Sequence, residues 1–298
     1  MKLVLIGLLI FLIFSQNSCK KVDLPNEFVG SIELNSQDAV NEFGKNNYEI
    51  IVGYLKIRDT TGTSITSLKP LYSIKEIGNT LYIHLTRKLD SLEGLNNLTS
   101  VGSIDFQSNY GIKNLNALKN LKTIKTYFTL SNSPNLNSID GISQLESKTL
   151  QSVSIYGCNI SDLRAFKNVE IIVSLSLNNC YNLKTLDGLE NLTMISRFQI
   201  NNVSLVSLSG LSMLKTINTS FSIESCSQLT TLNGIDNLQI IGDIYNNFSN
   251  SLFIYNNSLL SDFCALKPFF LNNGSTTTIL IDKNLSNPTP EEIINSCE

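Results

Sequence analysis

The chain has 298 residues, a formal net charge of −3 and an apolar fraction of 42%, ample for a substantial core in one large domain or two ordinary ones. Only 16% of its residues are charged, and Lys and Arg are scattered. That excludes the basic footprint of a nucleic-acid binder. One histidine (His84) and no tryptophan occur, which leaves few routes to metal or acid–base chemistry near neutral pH.

At the start of the chain, Lys2 precedes an unbroken apolar run over residues 3–14, then Ser15-Gln16-Asn17-Ser18 and Cys19. A charge, a short apolar core and a small residue before the break read as a secretory signal. The run is too short for a membrane-spanning helix, which needs about 20 residues. Ser18-Cys19 resembles a bacterial lipobox, from which Gln16 departs. That resemblance implies a signal peptide over 1–18 and a lipid on Cys19. With Lys20 next, it also implies the outer membrane or surface of a Gram-negative cell, with the membrane as partner through the lipid anchor. Residues 19–35 are expected to be a polar tether. Residues 36–43, Ser-Gln-Asp-Ala-Val-Asn-Glu-Phe, then read as a short capped helix that shields the end of a core.

From there the sequence repeats. Leu175-Ser176-Leu177-Asn178-Asn179-Cys180 is followed by Leu183, Leu186, Gly188, Leu189 and Leu192. The same pattern returns at Phe221, Ile223, Cys226, Leu229, Leu232, Gly234, Ile235 and Leu238, and at Leu81, Ile83, Leu89, Leu92, Gly94, Leu95 and Leu98. Nine turns begin near Leu55, Leu81, Ile104, Phe128, Val153, Leu175, Phe198, Phe221 and Leu252, mostly 22–26 residues apart. Each holds a short strand whose two apolar residues flank a polar one and point the same way. Gly94, Gly141, Gly188, Gly210 and Gly234 are expected to supply a corner with positive φ. A single turn cannot bury its apolar side, so the turns stack.

The run Leu-x-Leu-x-x-(Asn or Cys)-x-x-Leu-x-x-Leu-x-Gly-Leu-x-x-Leu resembles bacterial leucine-rich repeat proteins, and more closely the receptor L-domain type of solenoid. It covers roughly residues 50–270. The expected fold is mainly β: a right-handed parallel β-solenoid of about nine leucine-rich turns with short helical caps, one domain over 36–298. A closing cap is expected around residues 261–266 and 290–297. Outside the cytoplasm its Cys264 and Cys297 are expected to form a disulfide. Cys158, Cys180 and Cys226 share one repeat position with Asn109, Ser133 and Asn257, which reads as a stack of small buried side chains.

No catalytic cluster emerges, and no cofactor or metal is called for. Glu93, Asp140 and Asp187 precede the corner glycine where other turns carry Asn116, Ser209 and Asn233. That interchange reads as turn chemistry, against the clustered carboxylates a β-helix polysaccharide lyase would need. His84 reads as a solvated strand residue. Four Asn-x-Ser/Thr sequons (Asn97, Asn191, Asn202 and Asn218) carry little weight in an Asn-rich chain.

The register places two outward columns on the strands. One is Arg58, His84, Gln107, Ser131, Tyr156, Asn178, Asn201, Glu224 and Tyr255; the other runs from Lys56 and Tyr82 to Phe253. Aromatics cluster toward both ends, Tyr54, Tyr82 and Tyr127 at one and Tyr156, Phe253 and Tyr255 at the other. Solenoid strand faces form continuous binding platforms, and exposed Tyr is favoured at interfaces. The ligand-face candidates are therefore Arg58, Tyr82, His84, Gln107, Tyr127, Tyr156, Asn178, Asn201, Glu224 and Tyr255. The expected function is non-catalytic binding or adhesion toward a protein or glycan ligand. The alternatives are a structural lipoprotein of the outer envelope and, third, the lyase.

Overall fold

In the computed structural model of the chain, the described residues are 26–61, 64–242, 251–272 and 278–297. The expected signal peptide and lipidated Cys19 lie outside them. Strands β1 (Glu27–Phe28), β2 (Ile32–Leu34), β3 (Ile50–Ile51), β4 (Leu55–Arg58), β5 (Glu76–His84), β6 (Ser100–Gln107), β7 (Thr123–Ile124) and β8 (Tyr127–Ser131) occupy the first half. Strands β9 (Thr149–Tyr156), β10 (Ile171–Asn178), β11 (Met194–Asn201), β12 (Thr216–Glu224), β13 (Ile240–Ile241), β14 (Ser251–Tyr255) and β15 (Thr278–Asp282) follow. All fifteen join one sheet in which strand pairs run parallel. The fold is a parallel β-solenoid.

One turn shows why. In β5, Ile77, Leu81 and Ile83 point inward, and Leu89, Leu92, Leu95 and Leu98 continue the inward line around the coil, each at most 1% exposed. Burying each such side chain contributes about 1.5–3 kcal/mol, but only once a neighbouring turn covers it. Neighbours do so in register: Leu55 pairs with Leu81, Leu81 with Ile104, Ile104 with Phe128 and Phe128 with Val153. The line then runs through Leu175, Phe198, Phe221 and Leu252.

Two further strands extend the nine that the repeat predicts. Ile32 of β2 pairs with Leu55, and Ile279 of β15 pairs with Leu252. The segment from residue 26 to 35, read from sequence as the end of a tether, therefore belongs to the solenoid. Its polar residues alternate with Phe28, Ile32 and Leu34, which pack on the core, a pattern that serves an end strand as well as a linker. Helix α1 (Gln37–Gly44), with Ser36 Oγ accepting from Ala39 N–H, buries Val40 and Phe43. Phe28, Phe43 and Tyr48 close this end with ring centroids 5.3–5.4 Å apart.

At the other end lie α2 (Lys267–Asn272) and α3 (Pro290–Ser296). Thr289 and Glu292 form a capping box at the start of α3. Cys264 and Cys297 are disulfide-bonded, with Cα atoms 5.4 Å apart, and Lys267 Nζ donates to the Cys297 carbonyl.

The corner glycines act through close approach. At Gly94 φ is +117°, but Gly141 lacks positive φ and sits in a 3-10 turn (Asp140–Ile142). What the two share is a Cβ position 1.9 Å and 1.8 Å from a carbonyl oxygen of the preceding turn, Leu68 and Leu115 respectively. The positive φ expected at Gly141 is absent; stacked backbone excludes a side chain there.

A second corner, just after each strand, is left-handed. It is occupied by Leu85, Ser108, Asn132, Gly157, Asn179, Asn202, Ser225, Asn256 and Lys283, with φ between 49° and 61°. The next residue turns inward, so Asn109, Ser133, Cys158, Cys180, Cys226, Asn257 and Asn284 stack in the core. Asn109 Nδ2 donates to Ile83 O (2.7 Å) and Asn284 Nδ2 to Ile254 O (2.9 Å), which satisfies carbonyls of the preceding turn. The three thiols are free. Burial pushes Cys158 up to about 12 and Cys180 and Cys226 to about 11, so at neutral pH they are inert small packing groups.

Candidate functional site: the strand face

The side of the coil away from the strands is occupied with holding turns together. Ser91, Ser138 and Thr185 oxygens accept from the N–H two residues on, at Glu93, Asp140 and Asp187. The turn chemistry expected of those three acids therefore belongs to the residue two positions earlier. Their carboxylates face outward, and Glu93 Oε2 pairs with Lys69 Nζ at 3.3 Å. Asn97, Asn120, Asn191 and Asn237 each donate Nδ2 to a carbonyl of the preceding turn at 2.7–2.8 Å. The sequon residues Asn97 and Asn191 are thus structural. Among the described residues, no group of three His, Cys, Asp or Glu side chains could hold a metal ion.

The strand face differs. Register places three outward columns side by side. Arg58, His84, Gln107, Ser131, Tyr156, Asn178, Asn201, Glu224 and Tyr255 form one row across neighbouring strands. Lys56, Tyr82, Asp105, Thr129, Ser154, Ser176, Gln199, Ser222 and Phe253 form the second. The third, one residue before the inward apolar pair, includes Tyr54, Thr80, Ser103, Tyr127, Ser152 and Ser174.

Of the candidate residues, Arg58, Tyr82, His84, Gln107 and Tyr127 come together at the N-terminal end. Tyr54 meets Tyr82 edge to face at 5.7 Å, Tyr82 meets His84 at 5.4 Å, and Lys56 Nζ lies 5.9 Å from the Tyr82 ring centre. Tyr127 Oη is 2.9 Å from Thr80 Oγ1. Burial pushes the Tyr127 phenol above its ordinary pKa; the bond to Thr80 opposes the rise, and neighbouring Tyr82 and Asp105 add to it.

His84 is not the solvated residue expected. Its side chain is 16% exposed, with Nε2 3.5 Å from Asp105 Oδ1 and sealed from solvent without a hydrogen bond. The Tyr82 ring and the flanking strands cover it, which a strand-by-strand reading cannot register.

Asn178, Asn201 and Glu224 form a separate polar run. Asn178 donates to Ser176 Oγ (2.7 Å) and Asn201 to Glu224 Oε2 (3.1 Å). Tyr156 stands apart on β9, the middle of the stack, 43% exposed; grouping it with the C-terminal aromatics is corrected by the register. Tyr255 does sit at the C-terminal end, with Lys283 Nζ 5.0 Å from its ring centre.

Among the described residues, the face is broken by depressions at two places. The first, about 330 Å³, is lined by Tyr54, Gly78, Asn79, Thr80, Tyr82, Gly102, Ser103, Lys125, Thr126 and Tyr127. The second, about 460 Å³, involves Arg197, Gln199, Thr219, Ser220, Ser222, Ser251 and Phe253. Both lie at a register shift, between Ile77 and Thr80 on β5 and between Ile195 and Arg197 on β11. Sequence reasoning missed Gly78, Asn79 and Lys125, yet a signal exists. Ile77 and Leu81 are four residues apart where Val101 and Ile104 are three, and Ile217 and Phe221 are four apart where Ile195 and Phe198 are three. An extra residue on one strand makes a bulge and opens the face.

The repeat geometry agrees with the sequence comparison. The model of the BspA type leucine rich repeat region, a unit of six copies, matches residues 60–151 and again 148–267. The chain belongs to this family. The BspA-type repeats thus span most of the stack from β5 to the 3-10 turn at Cys264–Leu266. No curated protein matches the chain in sequence. Among solved structures it is similar to an internalin of Listeria monocytogenes, 14% identical, covering 92% of this chain and 86% of that one at a TM-score of 0.41.

Proposed function

We propose that the chain is a non-catalytic binding module that meets a protein or glycan ligand with its strand face, held at the bacterial surface by a lipid on Cys19. One observation carries this reading. On the turn side Asn97, Asn120, Asn191 and Asn237 are tied to the neighbouring turn, whereas Tyr54, Tyr82 and Tyr127 on the strand face line an open depression of about 330 Å³. Leucine-rich repeats are typically recognition modules, and rigid Tyr side chains supply contact area at low entropic cost. Asp and Glu are spread along the coil at none to three per turn, and among the described residues no three of His, Cys, Asp and Glu are grouped to hold a metal ion.

The test is a binding screen of the chain against arrayed glycans and extracellular proteins. Loss of a hit in the Tyr82→Ala, Tyr156→Ala double variant supports the strand face as the site. A hit that survives both changes moves the site elsewhere. A blank on folded protein overturns the reading in favour of an envelope scaffold. The anchor is checked separately: incorporation of labelled fatty acid is expected in the wild type and absent in Cys19→Ala.

A further inference from the structure

We propose that the depression between Tyr54, Tyr82 and Tyr127 is a subsite for one acidic sugar residue of a glycan chain. This rests on the strand face being a binding surface and names the ligand class for one part of it.

The floor is bare backbone, because Gly78 and Gly102 lie where a Cβ would come within 2.1 Å of Val52 O and 2.5 Å of Asn79 O. The walls are phenol rings in fixed orientation: Tyr54 and Tyr82 meet at 85°, and Tyr127 is tethered to Thr80. A volume of about 330 Å³ is at the small end for ligand pockets and suits one ring rather than an extended molecule. The electron-rich face of a tyrosine accepts the C–H face of a pyranose, while Thr80, Tyr127 and Asn79 present hydroxyl and amide groups to its hydroxyls.

Charge selects the class of sugar. Lys125 is the one charged residue lining the depression. Among the described residues, neither its ammonium nor the Asn79 side-chain amide has a hydrogen bond or ion pair, while the Asn79 backbone N–H donates to Gly53 O. An unneutralised cation beside aromatic walls favours a carboxylate on the ring.

The experiment titrates the full chain with an oligosaccharide containing glucuronic acid and with its carboxyl-reduced, neutral counterpart, read by calorimetry. The acidic form is expected to bind roughly threefold to fivefold more tightly, the scale of one exposed charge pair. Lys125→Gln, at an exposed side chain, should erase that preference, bringing the affinity for the acidic form down to that for the neutral one. Tyr82→Ala should weaken both by about tenfold, with Tyr82→Phe restoring them. Equal affinity for the two probes, a preference that survives Lys125→Gln, or displacement of the sugar by an acidic peptide at equal concentration overturns the inference. If the chain captures arrayed ligands through its strand face but neither probe binds, the subsite fails and the wider reading stands. If nothing binds, both fail.

Discussion

The two sides of the coil use the same repeat for opposite ends. On the turn side, outward groups are tied to the neighbouring turn: Asn120 Nδ2 to Asn96 O at 2.7 Å, Lys122 to Glu146 at 3.1 Å, Lys148 to Glu170 at 2.8 Å. On the strand face the backbone already satisfies its own hydrogen bonds through the sheet, so ties between outward side chains are local, as at Tyr127–Thr80 and Asn201–Glu224, and residue identity drifts from Tyr to Ser to Gln along the columns. The difference teaches where substitution should cost stability and where it should cost only recognition.

The largest effect should come from filling a stacked corner. At Gly188 φ is +108° and a Cβ would lie 2.1 Å from Leu163 O, so Gly188→Val should destabilise by more than about 4 kcal/mol, seen as loss of a cooperative transition in urea. Reducing Cys264–Cys297, which closes a separation of 33 residues, should cost about 3–4 kcal/mol, measured as a shift in the denaturation midpoint with and without reductant.

Acid should act next, through Asp59 at the end of β4. Burial would raise its carboxyl, but hydrogen bonds from Ile65, Thr61 and Ser64 bring it down to about 2. Its folded pKa is below the unfolded value of 3.8, so its contribution is present above pH 4 and lost as pH falls toward 2. The contribution is of order 2 kcal/mol. Asp59→Asn should flatten that branch of a stability-versus-pH curve; an unchanged acid slope would remove Asp59 from the account.

On the turn side Asn120→Ala should cost about 1 kcal/mol, the scale of one orphaned carbonyl. The strand-face control Ser154→Ala should stay within about 0.5 kcal/mol. Equal costs at these two positions would erase the contrast between the sides. Finally, thiol labelling at pH 8 should be slow for Cys158, Cys180 and Cys226 while the chain is folded and fast in urea, because burial holds each pKa at about 11–12.

Much of this was legible in the sequence because a solenoid is periodic. Leu81, Ile83, Leu89, Leu92, Leu95 and Leu98 recur at fixed intervals, and a period of that kind specifies both the fold and which residues share a column. The pairing of Arg58 with His84 and of Glu224 with Tyr255 follows from counting alone. Where the period weakens, counting stops. β2 and β15 carry the inward pair without the leucines and glycine that mark a turn, so the ends of the stack emerged only from pairing. The left-handed corner escaped notice because Leu85 and Lys283 share it with Asn and Ser, and no single residue type marks it.

What the sequence by itself determined is the inward apolar pair of each repeat strand and the outward residues beside it, since side-chain direction alternates with a fixed period. What only the tertiary structure decided is how outward side chains from different turns meet. The coverage of His84 by Tyr82 and Asp105 depends on how side chains of two turns pack, and the opening at Gly78 and Gly102 on a one-residue register shift between neighbouring strands. Such a shift is a relation between two turns about 25 residues apart. A local reading of either turn alone does not contain it.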